Sequence, residues 1–122
     1  MAKYKVMIVD DSSLIRQAIQ KNLKEYDIEV VGQAEDGEMA LDLFEKNEPE
    51  YVTLDITMPK VDGLTVLEKI LEQKPETKVL VVTALSDKDT ALKALELGAK
   101  GFIVKPFTPE KLKESFGRLI QE

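Results

Sequence analysis

The sequence predicts an α/β protein with a doubly wound, parallel, five-stranded sheet. Short apolar runs alternate with longer stretches of helical period along all 122 residues. No linker, internal repeat or low-complexity segment interrupts the alternation. Repeated strand-helix units with right-handed crossovers place helices on both faces of one parallel sheet. We therefore expect a single domain over residues 1–122.

The strand order follows from which apolar runs are most uniform. The first, third and fourth runs contain almost no polar residue, as expected for central strands that are covered on both faces. This favours the flavodoxin-like (βα)5 order 2-1-3-4-5, in which ligands bind beyond the carboxyl ends of the first and third strands. The predicted strands cover residues 6–9, 28–34, 51–54, 79–82 and 102–104.

The helices are predicted from apolar stripes and from residues typical of helix ends. The first helix is expected over about residues 12–25, and Ser86-x-x-Asp89 matches a capping signature for the fourth. That fourth helix should end at Leu97-Gly98, and Thr108 should cap the fifth. The predicted stripes are Leu14, Ile15, Ala18, Ile19 and Leu23; Ala40, Leu41 and Phe44; Leu64, Leu67, Ile70 and Leu71; and Leu112, Phe116, Leu119 and Ile120.

Composition excludes several classes of function. The net charge is −6 without a basic cluster, which argues against nucleic acid or an anionic membrane as the main partner. No apolar run approaches the ~20 residues of a membrane span, and no signal-peptide core is evident, so we expect a cytoplasmic protein. The absence of Cys and His leaves carboxylates, hydroxyls, lysine and backbone for any chemistry. Such a set suits a hard cation such as Mg²⁺, with Mn²⁺ as the alternative.

Polar groups follow four of the predicted strands and should meet at one edge of the sheet. They are Asp10-Asp11, Asp55, Thr83 and Lys105. Each has an ordinary interpretation: a helix cap for the Asp pair, a loop contact for Asp55, a turn residue for Thr83 and a surface lysine for Lys105. Together, however, three acids would repel unless a metal or lysine compensates. The set predicts a site for a divalent metal and a phosphoryl group.

The chain resembles the receiver domain of bacterial two-component response regulators over essentially its full length. The motifs that carry the resemblance are Ile8-Val9-Asp10-Asp11-Ser12, Leu54-Asp55-Ile56-Thr57-Met58-Pro59, Asp62-Gly63, Thr83-Ala84, Gly98-Ala99-x-Gly101-Phe102 and Lys105-Pro106-Phe107. The resemblance implies that Asp55 accepts a phosphoryl group from a sensor histidine kinase. It implies Mg²⁺ ligation by Asp10, Asp11, Asp55 and the Thr57 carbonyl, phosphoryl contacts from Thr83 and Lys105, and a cis Lys105-Pro106 bond.

The resemblance also implies a switch and two docking surfaces. Thr83 would bond the new phosphoryl oxygen, and Phe102 would be the aromatic that moves with it, although Phe102 also fits as an ordinary core residue. The output surface would be formed by the fourth helix, fifth strand and fifth helix. The kinase would dock on the first helix near Ile15 and on the Pro106-Phe107 loop. Thr57 and Leu85 would flank the path of attacking water and set the phosphoryl lifetime.

Three functional alternatives remain at this level. The subfamily resemblance favours a monomeric, single-domain chemotaxis regulator that binds a flagellar switch protein and is not itself an enzyme. The second is a phosphorelay intermediate that donates to a histidine phosphotransferase. The third is a Mg²⁺-dependent phosphohydrolase, which usually needs an acid at the Thr57 position and a cap insertion that this length does not accommodate. A flavin module is disfavoured, because Asp10-Asp11 would repel the cofactor phosphate.

Overall fold

The computed structural model describes residues 3–58 and 61–121, and within them five strands alternate with five helices. The strands form one parallel sheet in the order β2-β1-β3-β4-β5, which confirms the predicted fold class. Pro59, which the sequence places in the loop after the third strand, lies outside the described residues. The elements are β1 Tyr4–Val9, α1 Ser13–Asn22, β2 Ile28–Ala34, α2 Gly37–Asn47, β3 Tyr51–Leu54, α3 Gly63–Gln73, β4 Lys78–Thr83, α4 Lys88–Glu96, β5 Gly101–Val104 and α5 Pro109–Gln121.

The three central strands are buried on both faces, as their uniform apolar composition predicts. All of β3 is buried, as are the last four residues of β1 and the last five of β4. Val9 pairs with Leu54, so β1 and β3 end at the same level of the sheet. The residues that follow these two strands therefore emerge side by side.

Each face of the sheet carries its own hydrophobic core. Phe44 of α2 and Leu67 of α3 are buried on one face, while Ile19 of α1 and Phe116 of α5 are buried on the other. Burial of such large apolar side chains stabilises the fold by roughly 1.5–3 kcal/mol each. The largest fully buried side chains are Phe44, Phe116, Met7, Ile8, Ile19, Leu23, Leu54, Leu67, Ile70, Leu80, Leu112 and Leu119.

Of the predicted ends of α4 and α5, two are confirmed and one is wrong. Thr108 caps α5, since its hydroxyl accepts a hydrogen bond from the Lys111 amide at 3.0 Å. Gly98 follows α4 with φ at +113°, the left-handed conformation that favours glycine. The cap of α4, however, is Asp87 and not Ser86: its carboxylate accepts from the amide and the hydroxyl of Thr90. An Asp caps as well as a Ser, and only Asp87 has a threonine hydroxyl three residues further along to bond.

The first helix is shorter than its pattern predicts, and its apolar stripe is narrower. Ser12 is the cap, so α1 spans Ser13–Asn22 and not residues 12–25. Leu14, assigned by periodicity to the buried stripe, is 75% exposed, while Ile15 is half-buried. The prediction fails for Leu14 because this side chain lies on the solvent-facing side of the first turn of α1.

Candidate functional site

Three carboxylates converge where β1 and β3 end. Asp10 and Asp11 follow β1, Asp55 follows β3, and one oxygen from each lies within 4.8 Å of the others. Asp10 and Asp55 are buried, with exposed fractions of 1% and 2%, whereas Asp11 faces solvent. The sheet register dictates this arrangement, because neighbouring parallel strands deliver their next residues to the same edge.

Lys105 reaches this cluster from β5 on the far side of β4. Its Nζ donates to Asp10 Oδ2 at 2.6 Å and to Asp55 Oδ2 at 3.3 Å. Burial alone would lower the pKa of Lys105, but the hydrogen bond and charge of Asp10, with those of Asp55, outweigh it and raise that pKa. Burial raises the pKa of Asp10, opposed by its hydrogen bonds from Lys105 and Ser12. The lysine is therefore a fixed cation facing two buried acids.

The remaining carboxylate oxygens are held by the loops that follow the strands. Asp10 Oδ1 accepts from the Ser12 amide at 2.9 Å. Asp55 Oδ1 accepts from the Thr57 amide at 2.9 Å and from the Thr57 hydroxyl at 2.7 Å. The sequence analysis did not predict the hydrogen bond from the Thr57 hydroxyl to Asp55. It considered only the Thr57 carbonyl as a metal ligand and Thr57 as a neighbour of the attacking water. A threonine two residues after an aspartate was the available signal, since such pairs form local turns.

Thr83 lies at the same edge of the sheet, and Leu85 lies directly above it. Thr83 is fully buried at the end of β4, its carbonyl accepts from the Lys105 amide at 2.8 Å, and its hydroxyl accepts from the Leu85 amide at 3.3 Å. The Leu85 side chain is 39% exposed. Thr83 therefore lies where the sequence places it, at the end of β4 and beside β5, whereas the position of Leu85 on a path of water stays a prediction.

Phe102 and the bond after Lys105 complete the set of sequence-predicted positions. Phe102 is half-buried on β5 and packs against the core that contains α2 and α3. This partial burial is compatible with both roles that the sequence leaves open, a mobile aromatic and a core residue. The Lys105-Pro106 peptide bond is cis, as the resemblance predicts.

The donor set suits a small divalent cation. Three carboxylates facing one lysine leave excess negative charge at the edge of the sheet, and their oxygens are ligands that Mg²⁺ prefers. Asp11 is exposed and has the freedom to approach an ion. The residues present therefore fit a magnesium ion bound by Asp10, Asp11 and Asp55.

The fold and the site together define a class. The sheet is parallel, has five strands and follows the order 2-1-3-4-5. Paired acids follow β1, a third acid follows β3 and a lysine follows β5. This combination is the architecture of a receiver domain. The chain belongs to the response regulator receiver domain family, whose model matches residues 6–116. It is thus a member of a two-component signalling family.

Several known proteins are similar to this chain over nearly its whole length. It is 40% identical over 111 residues to the chemotaxis protein CheY of Listeria monocytogenes, covering 91% of this chain and 93% of that protein. It is 42% identical over 116 residues to the protein CcdB of Bacillus subtilis, covering 95% and 97%. The crystal structure of a CheX-CheY-BeF3-Mg²⁺ complex from Borrelia burgdorferi contains a chain that matches with a TM-score of 0.91 and 33% identity, covering 96% of this chain and 89% of that one.

The helices give no sign of membrane insertion. Within residues 3–58 and 61–121, none has both the length and the apolar character of a membrane span.

Proposed function

We propose that this chain is a response regulator that accepts a phosphoryl group on Asp55 from a sensor histidine kinase. The observation that carries the proposal is the bridge from Lys105 Nζ to Asp10 and Asp55, in a cluster where three carboxylates approach within 4.8 Å. A buried acid held beside a fixed cation and two further acids combines a nucleophile with the charges that phosphoryl transfer requires. We also propose that residues 1–122 act as one receiver domain, as a monomer in the cytoplasm.

The proposed transfer is a single in-line displacement. An Asp55 carboxylate oxygen forms a bond to phosphorus while the bond from phosphorus to the donor histidine nitrogen breaks. The electron pair of the broken bond remains on the imidazole, and Asp55 becomes an acyl phosphate. Lys105 stabilises the negative charge on the equatorial oxygens, and Thr57 holds the carboxylate through Oδ1.

Asp10, Asp11, Asp55 and the Thr57 carbonyl would hold a magnesium ion, or manganese in its place. When bound, the metal supplies positive charge to the phosphoryl oxygens. Lys105, which contacts both Asp10 and Asp55, and Thr83 at the end of β4 would bind other oxygens of the same phosphoryl group.

Phosphorylation would be transmitted through Thr83 and Phe102 to an exposed apolar surface. The Thr83 hydroxyl would turn toward the phosphoryl oxygen, and Phe102 would move into the space beneath it. Leu92 and Leu95 of α4 and Val104 of β5 have exposed fractions of 56%, 47% and 41%. Exposed apolar residues of this kind indicate a protein-binding surface. Because several relatives carry the name CheY, we propose chemotaxis as the pathway and a flagellar switch protein as the partner.

A role as a phosphorelay intermediate is the second candidate, and the exposure of Leu14 is compatible with both candidates. This side chain is 75% exposed on α1, one residue before the half-buried Ile15. An apolar residue beside the site would serve both the kinase and a histidine phosphotransferase, with Pro106 and Phe107 on the neighbouring loop. Phosphoryl transfer from the purified, phosphorylated chain to a histidine phosphotransferase would separate the two candidates.

The first test is the intact mass of the protein after incubation with acetyl phosphate, with and without Mg²⁺. We expect one phosphoryl adduct that requires Mg²⁺ and is absent from Asp55→Asn. Asp87→Asn is the matched control, because it also removes one acidic charge and keeps a good helix cap. An adduct that survives Asp55→Asn would refute the assignment and would favour the phosphohydrolase alternative.

The lifetime of the acyl phosphate should depend on Leu85. Its apolar side chain cannot orient a water molecule, so we expect slow hydrolysis in the native protein and faster hydrolysis in Leu85→Glu, whose carboxylate accepts a hydrogen bond from water. Decay of the phosphorylated mass after removal of acetyl phosphate measures this rate. Leu85→Met is the control for side-chain size, and equal rates in Leu85→Glu and the native protein would contradict the prediction.

A further inference from the structure

The peptide that joins Asp10 to Asp11 is held by an arginine side chain that no step above uses. Arg16, on the first half of α1, donates from Nη1 to the Asp10 carbonyl oxygen at 2.5 Å. That carbonyl belongs to the planar peptide unit linking the two acids. A donor fixed on this oxygen therefore fixes the direction in which the chain leaves Asp10 and presents the carboxylate of Asp11.

Arg16 is itself held by residues of two elements. Its Nε donates to Gln33 Oε1 on β2 at 3.3 Å, and Gln33 Nε2 donates to Gln20 Oε1 on α1 at 3.2 Å. The backbone of the same region is closed by the Asp10 amide, which donates to the Ala34 carbonyl at 3.0 Å. The guanidinium thus connects β1, α1 and β2 through a planar group whose donors point in fixed directions.

With Arg16 included, every oxygen of Asp10 has a partner. The carbonyl accepts from Arg16, Oδ1 from the Ser12 amide and Oδ2 from Lys105. The exposed Asp11 has no such set of restraints among its own oxygens in the described contacts, so its placement depends on the peptide before it. The bond from Arg16 to the Asp10 carbonyl is therefore a restraint on where the second acid of the pair lies.

We propose that Arg16 is a positioning residue for the divalent cation: it holds the Asp10-Asp11 peptide so that both carboxylates approach one ion together with Asp55. The proposal rests on the proposed function, since it assumes that these three acids bind Mg²⁺. Groups that orient the ligands of a metal in this way typically contribute on the order of 10-fold to 100-fold in affinity.

The direction of the effect separates positioning from simple electrostatics. Arg16 carries a positive charge close to the acids and repels any cation that binds them. If charge were its only influence, its removal would tighten Mg²⁺ binding. If it positions Asp11, removal weakens binding in spite of the lost repulsion. The sign of the change in dissociation constant is therefore diagnostic.

The experiment is a titration of the unphosphorylated full chain with Mg²⁺ alone. Binding is monitored by the NMR chemical shifts of the backbone amides at the ends of β1 and β3. We expect Arg16→Met to raise the dissociation constant on the order of tenfold. Arg118→Met is the matched control, because Arg118 is exposed on α5 and pairs only with Glu114 at 2.9 Å among the described contacts. It removes the same charge, and its Mg²⁺ affinity should stay within twofold of the native value, roughly the effect of a distant surface charge.

Two further variants keep the test decisive if Arg16→Met is unstable. Arg16→Lys retains the charge and one donor to the Asp10 carbonyl but loses the fork to Gln33, so we expect affinity between those of the native protein and Arg16→Met. Gln33→Leu removes the support of the guanidinium and should weaken Mg²⁺ binding less than Arg16→Met. Combined with Arg16→Met it should add nothing, because both changes break one network.

Failure of the inference and failure of the proposed function give different results. If native protein shows no Mg²⁺-dependent shifts at the three acids, the proposed metal site is wrong. If native protein binds Mg²⁺ and Arg16→Met binds it equally or more tightly, the site stands and the positioning role is overturned. If Arg16→Met does not fold, native affinity in both Gln33→Leu and Arg16→Lys would overturn the positioning role instead.

Discussion

Gly117 lies inside α5, where glycine normally lowers helix stability, yet replacing it with alanine should destabilise the protein. A Cβ at this position would lie 2.7 Å from the hydroxyl of Tyr26, which belongs to the segment between α1 and β2. That hydroxyl donates to the Lys113 carbonyl at 2.7 Å, and the Tyr26 ring lies 5.3 Å from the Phe116 ring between centroids. The alanine methyl group would therefore displace Tyr26 from α5.

The magnitude follows from three contributions. Replacing Gly with Ala in a helix interior normally raises the free energy of unfolding by about 1 kcal/mol. Loss of the Tyr26 hydrogen bond costs about 1 kcal/mol, and disturbance of the Tyr26–Phe116 pair costs about 1 kcal/mol more. Gly117→Ala should thus lower the free energy of unfolding by about 1 kcal/mol. In a Tyr26→Phe background the next ring atoms lie 3.5 Å and 3.9 Å away, in ordinary contact. There the same substitution should raise the free energy of unfolding by about 1 kcal/mol.

The assay is a double-mutant cycle in urea, with native protein, the two single variants and the double variant. The expected coupling is about 2 kcal/mol, and the sign of the Gly117→Ala effect should reverse between backgrounds. Equal stabilisation by Gly117→Ala with and without the Tyr26 hydroxyl would refute the argument. It would mean that glycine at this position has no packing purpose.

Three further predictions concern Thr53, Gly63 and Tyr26. Thr53→Val should raise the free energy of unfolding by about 1 kcal/mol in urea, because Thr53 Oγ1 is buried without a hydrogen-bond partner in the described residues; Thr53→Ser, which keeps the hydroxyl, should be less stable. Gly63→Ala should cost about 1–3 kcal/mol in the same assay and slow phosphorylation by acetyl phosphate, because its Cβ would overlap the Ile56 backbone. Burial and the charge of Glu25 raise the pKa of Tyr26 above its ordinary value of 10.0, so the folded state keeps a proton that the unfolded state loses. Stability should therefore fall as pH rises above 10.0, and Tyr26→Phe should reduce that fall in thermal melts between pH 9 and 11, about one unit either side of the ordinary value.

The sequence predicts those features of the fold that depend on short-range patterns. Uniform apolar runs identify the central strands, and the order of strands then brings Asp10, Asp55 and Lys105 to one edge. Thr108 and Gly98 mark helix ends because each acts within its own turn. The phosphoacceptor role of Asp55, the metal-binding role of the three acids and the influence of Thr57 and Leu85 on the phosphoryl lifetime remain predictions.

The features that sequence reasoning missed depend on long-range contacts. The α1 helix ends early, and the turn after it brings the Tyr26 hydroxyl to the Lys113 carbonyl, 87 residues away. Arg16 bonds the Asp10 carbonyl and Gln33 together, which no local pattern reveals. The choice of Asp87 over Ser86 as a cap is a local exception, because the Thr90 hydroxyl three residues further along bonds Asp87.

The bridge from Lys105 to Asp10 has a consequence for how the site meets a cation. The lysine ammonium is a counter-ion for two buried carboxylates. A divalent ion that binds these acids would therefore have to displace the lysine ammonium from them, because their negative charge is already partly neutralised. The binding free energy that a titration measures is then the difference between the interaction of the ion with these oxygens and that of the lysine ammonium. Released from Asp10, the ammonium would keep its charge at neutral pH, because the ordinary pKa of a lysine is 10.5, and it would remain beside Asp55 to meet an incoming anion.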